Sequence, residues 1–135
     1  MGATPLKIKI VLHIDDDEDD RQIVKEAMEA YDVNVVVQNA TSGTEGMEVL
    51  ENAKASGQLP CMIILDINMP GKDGKQVLKE IKDDPILATI PLVLFTTSSS
   101  SLDKMFAERN GVEMITKPPT LENLLQTIQR FLRYC

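Results

Sequence analysis

Five short apolar segments alternate with five segments of helical periodicity along the chain. The apolar segments, which are rich in β-branched residues, span residues 7–14, 33–38, 61–66, 91–96 and 112–116. In the segments that follow each of them, apolar residues recur every three or four positions, as in helices with one buried face. Near-continuous apolar strands joined by helices are typical of a parallel sheet covered on both faces. The pattern therefore predicts a doubly wound α/β fold with a five-stranded parallel sheet.

Length and charge limit the classes of protein to which the chain can belong. Its 135 residues are predicted to form a single domain over 1–135, with a core at about 7–134 and no output domain. The net charge of −7 argues against a nucleic-acid-binding surface, which needs clustered Lys and Arg. Neither a secretory signal nor an apolar run of roughly 20 residues is present. We therefore expect a cytoplasmic protein without nucleic-acid or membrane partners.

The two cysteines are predicted to be free thiols. Cys61 lies in the third apolar segment, and Cys135 follows the last segment of helical periodicity. Together they match neither a CxxC motif nor a metal-ligand spacing.

Residues suited to phosphoryl chemistry stand where predicted strands end. Parallel strands place their carboxyl ends at one edge of the sheet, and ligands bind there. The residues at this edge are Asp15, Asp16 and Asp17, Asp66, Thr96, Thr97 and Ser98, and Lys117. Crowded carboxylates without a His or Cys ligand favour Mg²⁺ over Zn²⁺. With such an ion, one carboxylate can attack a phosphoryl group while a lysine and a hydroxyl share its charge.

Each of these residues also has an ordinary structural interpretation when it is taken alone. His13, inside the first strand, is expected to be packed there rather than to bind a metal. Asp17 is expected to cap a helix, and residues 18–20 are interpreted as capping and surface charge. Asp66 alone fits a turn and Lys117 alone fits the surface, so the site is inferred from their meeting at one edge.

Four segments together resemble response-regulator receiver domains of two-component signalling, from about residue 7 to the end of the chain. They are LHIDDDEDD at 12–20, LDINMPGKDG at 65–74, PLVLFTT at 91–97 and ITKPPT at 115–120. The resemblance implies a flavodoxin-like strand order of 2-1-3-4-5. It also implies that one aspartate accepts a phosphoryl group in the presence of Mg²⁺.

The resemblance assigns a role to each residue at the predicted edge. Asp66 would be the phosphoacceptor, with Asp16 and the backbone carbonyl of Asn68 binding Mg²⁺ and Asp15 holding it through water. Lys117 would pair with the phosphoryl oxygens, and Thr96 would swing in to hydrogen-bond them. Two backbone features follow from the same resemblance: a cis peptide bond before Pro118 and a sharp turn after the third strand at Gly74.

Two positions depart from the pattern that is common in the family. Met114 stands three residues before Lys117, where many relatives carry a switching aromatic, so a coupled swing of Thr96 and an aromatic is not assumed. Thr97 stands where relatives often have alanine or glycine. We expect Thr97 to slow the access of water to the phosphoryl group, and Asn68 and Ser98 also to set its lifetime.

The predicted function is that of a stand-alone receiver rather than an enzyme. It would take its phosphoryl group from a sensor histidine kinase or a histidine phosphotransfer protein, and would signal by phosphorylation-dependent protein contact. Onward phosphotransfer, binding of a downstream target and binding of a second copy all remain open. Phe131 and Tyr134, taken as exposed near the end of the last helix, suit either a homodimer face or packing against the domain.

Two alternative functions fit parts of the same acidic stretch. A calcium-binding EF-hand loop matches Asp15, Asp17, Asp19 and Glu26, but Asp20 replaces the glycine that the turn requires. A haloacid dehalogenase-like phosphatase matches Asp15 and Asp17 but leaves Asp66 and its loop unexplained.

Overall fold

The computed structural model describes residues 7–135, which form a five-stranded parallel sheet between two layers of helices. The strands are β1 (Lys9–Ile14), β2 (Val35–Ala40), β3 (Met62–Leu65), β4 (Leu92–Thr96) and β5 (Glu113–Thr116). The helices are α1 (Glu18–Tyr31), α2 (Gly43–Ser56), α3 (Gly74–Asp83), α4 (Ser101–Arg109) and α5 (Leu121–Phe131). The sheet order is β2-β1-β3-β4-β5 with every pair parallel, which confirms the predicted fold. None of the helices within 7–135 combines the length and apolar character of a membrane span.

The second strand lies two residues further along the chain than the sequence pattern predicted. Asp32 forms a turn before it, because its side chain accepts the N–H of Asn34 at 2.9 Å and its carbonyl accepts the N–H of Val35 at 3.0 Å. Buried and exposed residues alternate from Val35 to Gln38, as expected at the edge of a sheet. The local turn chemistry at Asp32 therefore decides where the apolar run becomes a strand.

The sheet separates two buried clusters of apolar side chains. Leu12 and Ile14 of β1 pack with α2, α3 and α4, whereas Val11 of the same strand packs with α1 and α5. Burying one such aliphatic side chain contributes about 1.5–3 kcal/mol, so the two clusters hold the strand ends firmly in register. His13 is fully buried within β1, as predicted.

One prediction about the surface is wrong, because Phe131 is fully buried. Its ring packs edge-to-face against Phe95 of β4, with centroids 5.2 Å apart. Tyr134 is partly buried and its hydroxyl donates to Glu113. Phe131 therefore belongs to the core and cannot form a dimer face.

Within residues 7–135, each of the five α-helices begins with a side-chain cap at the edge of the sheet where the strands end. The capping residues are Asp17, Ser42, Asp73, Ser100 and Thr120. Each accepts a backbone N–H from the first turn of its helix, which contributes about 1 kcal/mol in typical cases. The positive ends of the helix dipoles consequently lie on the same side as the strand ends.

The prediction of two free thiols is wrong, because Cys61 and Cys135 form a disulfide. Cys61 precedes β3 and Cys135 follows a short 3₁₀ turn at Leu132–Tyr134, and their Cα atoms are 5.3 Å apart. They are 74 residues apart in the chain, so their proximity is a result of the fold and has no local signature. The bond lies at the opposite edge of the sheet from the helix caps.

Reduction of this disulfide is expected to lower the free energy of unfolding by about 2–4 kcal/mol, because the bond restricts the unfolded chain. Urea denaturation with and without a reductant measures the difference. Cys135→Ser is the control and should unfold at the same urea concentration in both buffers. Equal stability of the oxidised and reduced wild type would contradict the expectation.

Candidate functional site

The strand ladders place three ionisable residues side by side at the carboxyl edge of the sheet. Asp15 follows β1, Asp66 follows β3 and Lys117 follows β5. The backbone N–H of each extends a ladder by one more hydrogen bond: Asp15 to Ala40 O at 3.0 Å, Asp66 to Ile14 O at 3.0 Å and Lys117 to Thr96 O at 2.7 Å. The positions of these residues are therefore fixed by the sheet itself and not by flexible loops.

Asp15, Asp16 and Asp66 bring three carboxylates together, with one oxygen from each lying within 4.8 Å of the others. Asp15 is fully buried and Asp66 is 5% exposed, while Asp16 faces solvent. Hard divalent cations such as Mg²⁺ prefer oxygen ligands, and this donor set consists of carboxylate oxygens alone. The residues present therefore fit a divalent cation.

Lys117 supplies the positive charge closest to these carboxylates. Its Nζ lies 2.8 Å from Asp15 Oδ2 and 3.3 Å from Asp66 Oδ2, and the side chain is 8% exposed. The same Nζ lies 5.8 Å from the centre of the Phe95 ring, whose face also attracts a cation. One ammonium thus bridges the two buried carboxylates, and a net negative charge remains.

The carboxylates of Asp15 and Asp66 respond differently to this environment. Burial alone would raise the pKa of Asp15, but contacts with His13, Lys117 and the Asp17 amide outweigh it and lower the pKa to about 2. Burial raises the pKa of Asp66, and the Asp15 charge adds to this effect against the opposing pull of Lys117. Asp66 is therefore the carboxylate whose negative charge is less well compensated by the residues around it.

The pKa of Lys117 is raised above its ordinary value. Burial alone would lower the pKa, but the hydrogen bonds to Asp15 and Asp20 more than offset it. Lys117 is consequently a permanent positive charge at this edge of the sheet.

Asp20 is a site residue that sequence reasoning missed. The sequence pattern predicts surface charge at Asp20, but its Oδ2 lies 2.7 Å from Lys117 Nζ, about as close as that of Asp15. Asp20 lies in the first turn of α1, which begins at the same edge as the ends of β1 and β5. In the sequence, Asp20 looks like any acidic residue near the start of a helix. Only the packing of α1 against the sheet reveals its contact with Lys117.

The last residue of β4 and the loop that follows it contribute the hydroxyl groups. Thr96 is fully buried at the end of β4, beside the strand that leads into Asp66, and it is one of the neighbours that lower the pKa of Asp66. Thr97 is exposed, and Ser98 is half-buried. Asn68 is exposed, and its backbone N–H lies 3.4 Å from Asp66 Oδ1. The roles of Thr97, Ser98 and Asn68 in phosphoryl lifetime stay predictions.

Two further residues near Lys117 were singled out in the sequence. Met114 is partly buried and packs against the cluster beneath α2, α3 and α4; any role in switching stays a prediction. The prediction of a cis peptide bond before Pro118 is wrong, because no peptide bond in residues 7–135 is cis. The trans isomer of an X–Pro bond is the more stable by about 0.5–1 kcal/mol, and this backbone adopts it.

Gly74 is required for a reason other than the predicted turn. The turn glycine is Gly71, with φ of 73°, whereas Gly74 has no positive φ. A Cβ on Gly74 would lie 2.2 Å from the carbonyl oxygen of Asp66 and 2.7 Å from the Cα of Ile67. The absence of a side chain at Gly74 therefore lets α3 start directly against the backbone of Asp66.

The geometry argues against the two alternatives raised by the acidic stretch. Asp19 and Glu26 are both within α1, so they cannot lie in the calcium-binding loop of an EF-hand. In a haloacid dehalogenase-like reaction Asp15 would be the nucleophile, yet it is fully buried and already holds Lys117 and the Asp17 amide. Asp66 would then have no role.

Comparison with known proteins gives a consistent result. The sequence model described as the response regulator receiver domain matches residues 11–129. Response regulator Rcp1 of Synechocystis sp. is 31% identical over 124 residues, covering 90% of this chain and 84% of that protein. Sensor histidine kinase CheAY of Helicobacter pylori is 32% identical over 125 residues, which is 92% of this chain but only 15% of the kinase.

Solved structures give the same result. The phosphorylated cyanobacterial phytochrome response regulator RcpA superposes with a TM-score of 0.86 at 32% identity, covering 94% of this chain and 93% of that one. The Mn²⁺-bound form of Rcp1 superposes with a TM-score of 0.82 at 30% identity, covering 91% of each chain. Its bound Mn²⁺ agrees with the divalent-cation fit of the carboxylates in this chain.

Gly74→Ala is expected to lower the free energy of unfolding by about 1–3 kcal/mol, because the new methyl group meets backbone that cannot move aside. It should also displace Asp66 and reduce cation binding. Chemical denaturation and calorimetry measure the two effects. Gly71→Asn is the control, since Asn tolerates a positive φ and space is open at Gly71; a stable Gly74→Ala protein would contradict the close contact.

Mg²⁺ is expected to stabilise the protein by about 2.7 kcal/mol at about one hundred times its dissociation constant, because it would bind the carboxylates only in the folded chain. Thermal unfolding over a Mg²⁺ series measures the effect. Asp16→Asn should remove most of it, whereas Asp19→Asn, an exposed neighbour on α1, should retain it. Equal stabilisation of both variants would exclude Asp16 as a ligand.

Proposed function

The chain belongs to the response regulator receiver domain family of two-component signalling, and we propose that Asp66 is the residue that accepts its phosphoryl group. One observation carries this assignment. The carboxylates of Asp15, Asp16 and Asp66 lie within 4.8 Å of one another, and Lys117 Nζ lies 3.3 Å from Asp66 Oδ2. Of the two buried carboxylates, Asp66 is the less tightly held by other groups and therefore the more available to attack phosphorus.

The transfer takes place between a phosphohistidine of a partner protein and the carboxylate of Asp66. A carboxylate oxygen forms a bond to phosphorus, the bond from phosphorus to the imidazole nitrogen breaks, and the electron pair stays on the imidazole. Lys117 balances the negative charge of the phosphoryl oxygens, and the Thr96 hydroxyl donates to one of them. Asp15, Asp16, Asp66 and the carbonyl of Asn68 would hold Mg²⁺, which when bound offsets charge on the transferred group.

Hydrolysis of the acyl phosphate returns Asp66 to its starting state. We expect the chain to promote both its own phosphorylation and its own dephosphorylation. An enzyme would instead act on a separate substrate. Thr97 and Asn68 are exposed and follow closely on the strand ends at Thr96 and Asp66. This placement supports their proposed influence on the lifetime of the phosphoryl group.

We also propose that the chain acts as a stand-alone receiver and signals through protein contact. Its support is that the matched regions span 84% of Rcp1 and 93% of the RcpA chain. The phosphoryl donor is a sensor histidine kinase or a histidine phosphotransfer protein. Output goes to a phosphotransfer protein, to a target or to a second copy of this chain, for which Leu102 and Met105 provide exposed apolar surface on α4.

The cytoplasm is the proposed location, because histidine kinases draw their phosphoryl groups from ATP inside the cell. The Cys61–Cys135 disulfide counts against it, since such bonds rarely persist in a reducing compartment. Cell fractionation with immunodetection of the chain tests the location. Recovery with a cytoplasmic marker supports the proposal, and recovery outside the cytoplasm overturns it.

Incubation with acetyl phosphate and Mg²⁺ is expected to add one phosphoryl group to the wild type and none to Asp66→Asn, as measured by intact-protein mass spectrometry. Asp83→Asn is the matched control, because Asp83 is an exposed aspartate at the end of α3. Labelling of Asp66→Asn at the wild-type rate would move the acceptor elsewhere. Absence of labelling, and of beryllofluoride binding, in the wild type would overturn the proposed function.

A further inference from the structure

A charged network beside the site joins α3, α4 and the loop between β4 and α4. Lys75 Nζ of α3 lies 2.6 Å from Asp103 Oδ1 of α4. The other carboxylate oxygen, Oδ2, accepts a hydrogen bond from Ser98 Oγ in the loop. We refer to these three residues as the Lys75–Asp103–Ser98 network. Both oxygens of Asp103 are therefore occupied by groups from two other parts of the chain.

Asp103 is more buried and more fully paired than an acidic residue in the first turn of a surface helix usually is. It is 9% exposed, whereas its neighbour Leu102 on α4 is 70% exposed. Burial of a carboxylate is unfavourable unless it is paired, and here the ion pair with Lys75 and the Ser98 hydroxyl lower its pKa. Lys75 also lies 5.3 Å from the ring centre of Phe106, one turn further along α4. The network thus fixes the start of α4 against α3.

Ser98 connects this network to the phosphoryl site. Its backbone N–H donates to Thr96 Oγ1 at 3.3 Å, and its carbonyl accepts the Thr116 hydroxyl of β5 at 3.1 Å. Its own Oγ donates to Asp103 and accepts the N–H of Ser100 at 3.3 Å. Ser98 therefore carries hydrogen bonds to the site, to β5 and to α4 at the same time.

The bond from Ser98 to Thr96 matters because of what Thr96 faces. The Ser98 amide takes a lone pair of the Thr96 hydroxyl, which leaves the hydroxyl proton free to point away from the loop. Thr96 is fully buried at the end of β4, which pairs with β3, the strand that leads into Asp66. Thr96 is also among the neighbours that lower the pKa of Asp66, so its hydroxyl is close to the carboxylate that would carry phosphorus.

We propose that Lys75 and Asp103 are positioning residues that hold Ser98, and through it the Thr96 hydroxyl, ready for the phosphoryl oxygens. Neither residue touches the phosphoryl group. A loop that is fixed before the group arrives does not lose further conformational freedom when it binds, so binding is tighter. This inference rests on the proposed function, because it concerns the phosphoryl group on Asp66.

A merely structural ion pair would have a different effect. Lys75 has a 37% exposed side chain, and partly exposed ion pairs contribute little to global stability. A structural role would therefore leave ligand binding unchanged once the protein is folded. A positioning role changes binding at Asp66 but leaves Mg²⁺ binding unchanged, because Asp15, Asp16 and Asp66 themselves are intact.

The test measures two affinities by calorimetry: that for Mg²⁺ alone and that for beryllofluoride, a phosphoryl mimic, in saturating Mg²⁺. Lys75→Ala and Asp103→Asn are expected to weaken beryllofluoride binding by about five- to tenfold and to leave Mg²⁺ binding within about twofold of the wild type. Lys75→Arg, which keeps the positive charge, should restore most of the affinity. The double variant should be no weaker than the single variants, because both break the same network.

Lys54→Ala is the matched control. Lys54 forms an ion pair with Asp84 of the same 2.6 Å length and similar exposure, but this pair joins α2 to the end of α3, away from Thr96. It should bind beryllofluoride like the wild type. Amide hydrogen exchange over residues 97–100 should become faster in Lys75→Ala and not in Lys54→Ala, which checks the proposed effect on the loop.

The outcomes separate the inference from the function on which it rests. Wild-type affinity in both Lys75→Ala and Asp103→Asn would show that the network is only structural and would overturn the inference. Tighter beryllofluoride binding would also overturn it, because the network would then be holding the loop against the phosphoryl group. Should Asp103→Asn fail to fold, Lys75→Ala alone decides. Failure of the wild type to bind beryllofluoride would instead reject the proposed function.

Discussion

The electrostatics of the site depend on one ammonium group placed between two buried carboxylates. Like charges a few ångströms apart inside a protein repel each other by several kcal/mol, since an effective dielectric constant near 20 gives about 4 kcal/mol at 4 Å. His13, Lys117 and the Asp17 amide together outweigh burial and lower the pKa of Asp15, whereas burial and the Asp15 charge outweigh Lys117 and raise the pKa of Asp66. The unequal compensation gives the two aspartates different chemical properties. It also leaves negative charge that a divalent cation can neutralise.

The sheet supplies the rigidity that this arrangement needs. Asp15, Asp66 and Lys117 each continue a parallel ladder by one backbone hydrogen bond, and the strands below them are packed on both faces. The close start of α3 at Gly74 adds a second constraint on the backbone of Asp66. The apolar core thus holds together charges that would otherwise separate. The carboxylates and the ammonium are therefore already in place before a cation or a phosphoryl group binds.

The loop after β4 and helix α4 extend this organisation towards a surface where a signal can leave. Ser98 connects the buried Thr96 hydroxyl to Asp103 on α4 and to Thr116 on β5. Under the proposed function, a change at Asp66 would act through the neighbouring Thr96 and Ser98 on α4, where Leu102 and Met105 are exposed. Met114 packs beneath this region instead of an aromatic, so the Ser98 contacts offer a route that does not need an aromatic swing.

The sequence alone determined the sheet architecture and the residues that end the strands, because strand alternation and breaker positions are local properties. It predicted Asp15, Asp66 and Lys117 at one edge, since all parallel strands end on the same side. Other features depended on contacts between distant segments. Asp20 reaches Lys117, Phe131 enters the core against Phe95, and Cys61 meets Cys135 across 74 residues. Only the tertiary structure decided these, because the packing of α1 and α5 against the sheet has no signature in neighbouring residues.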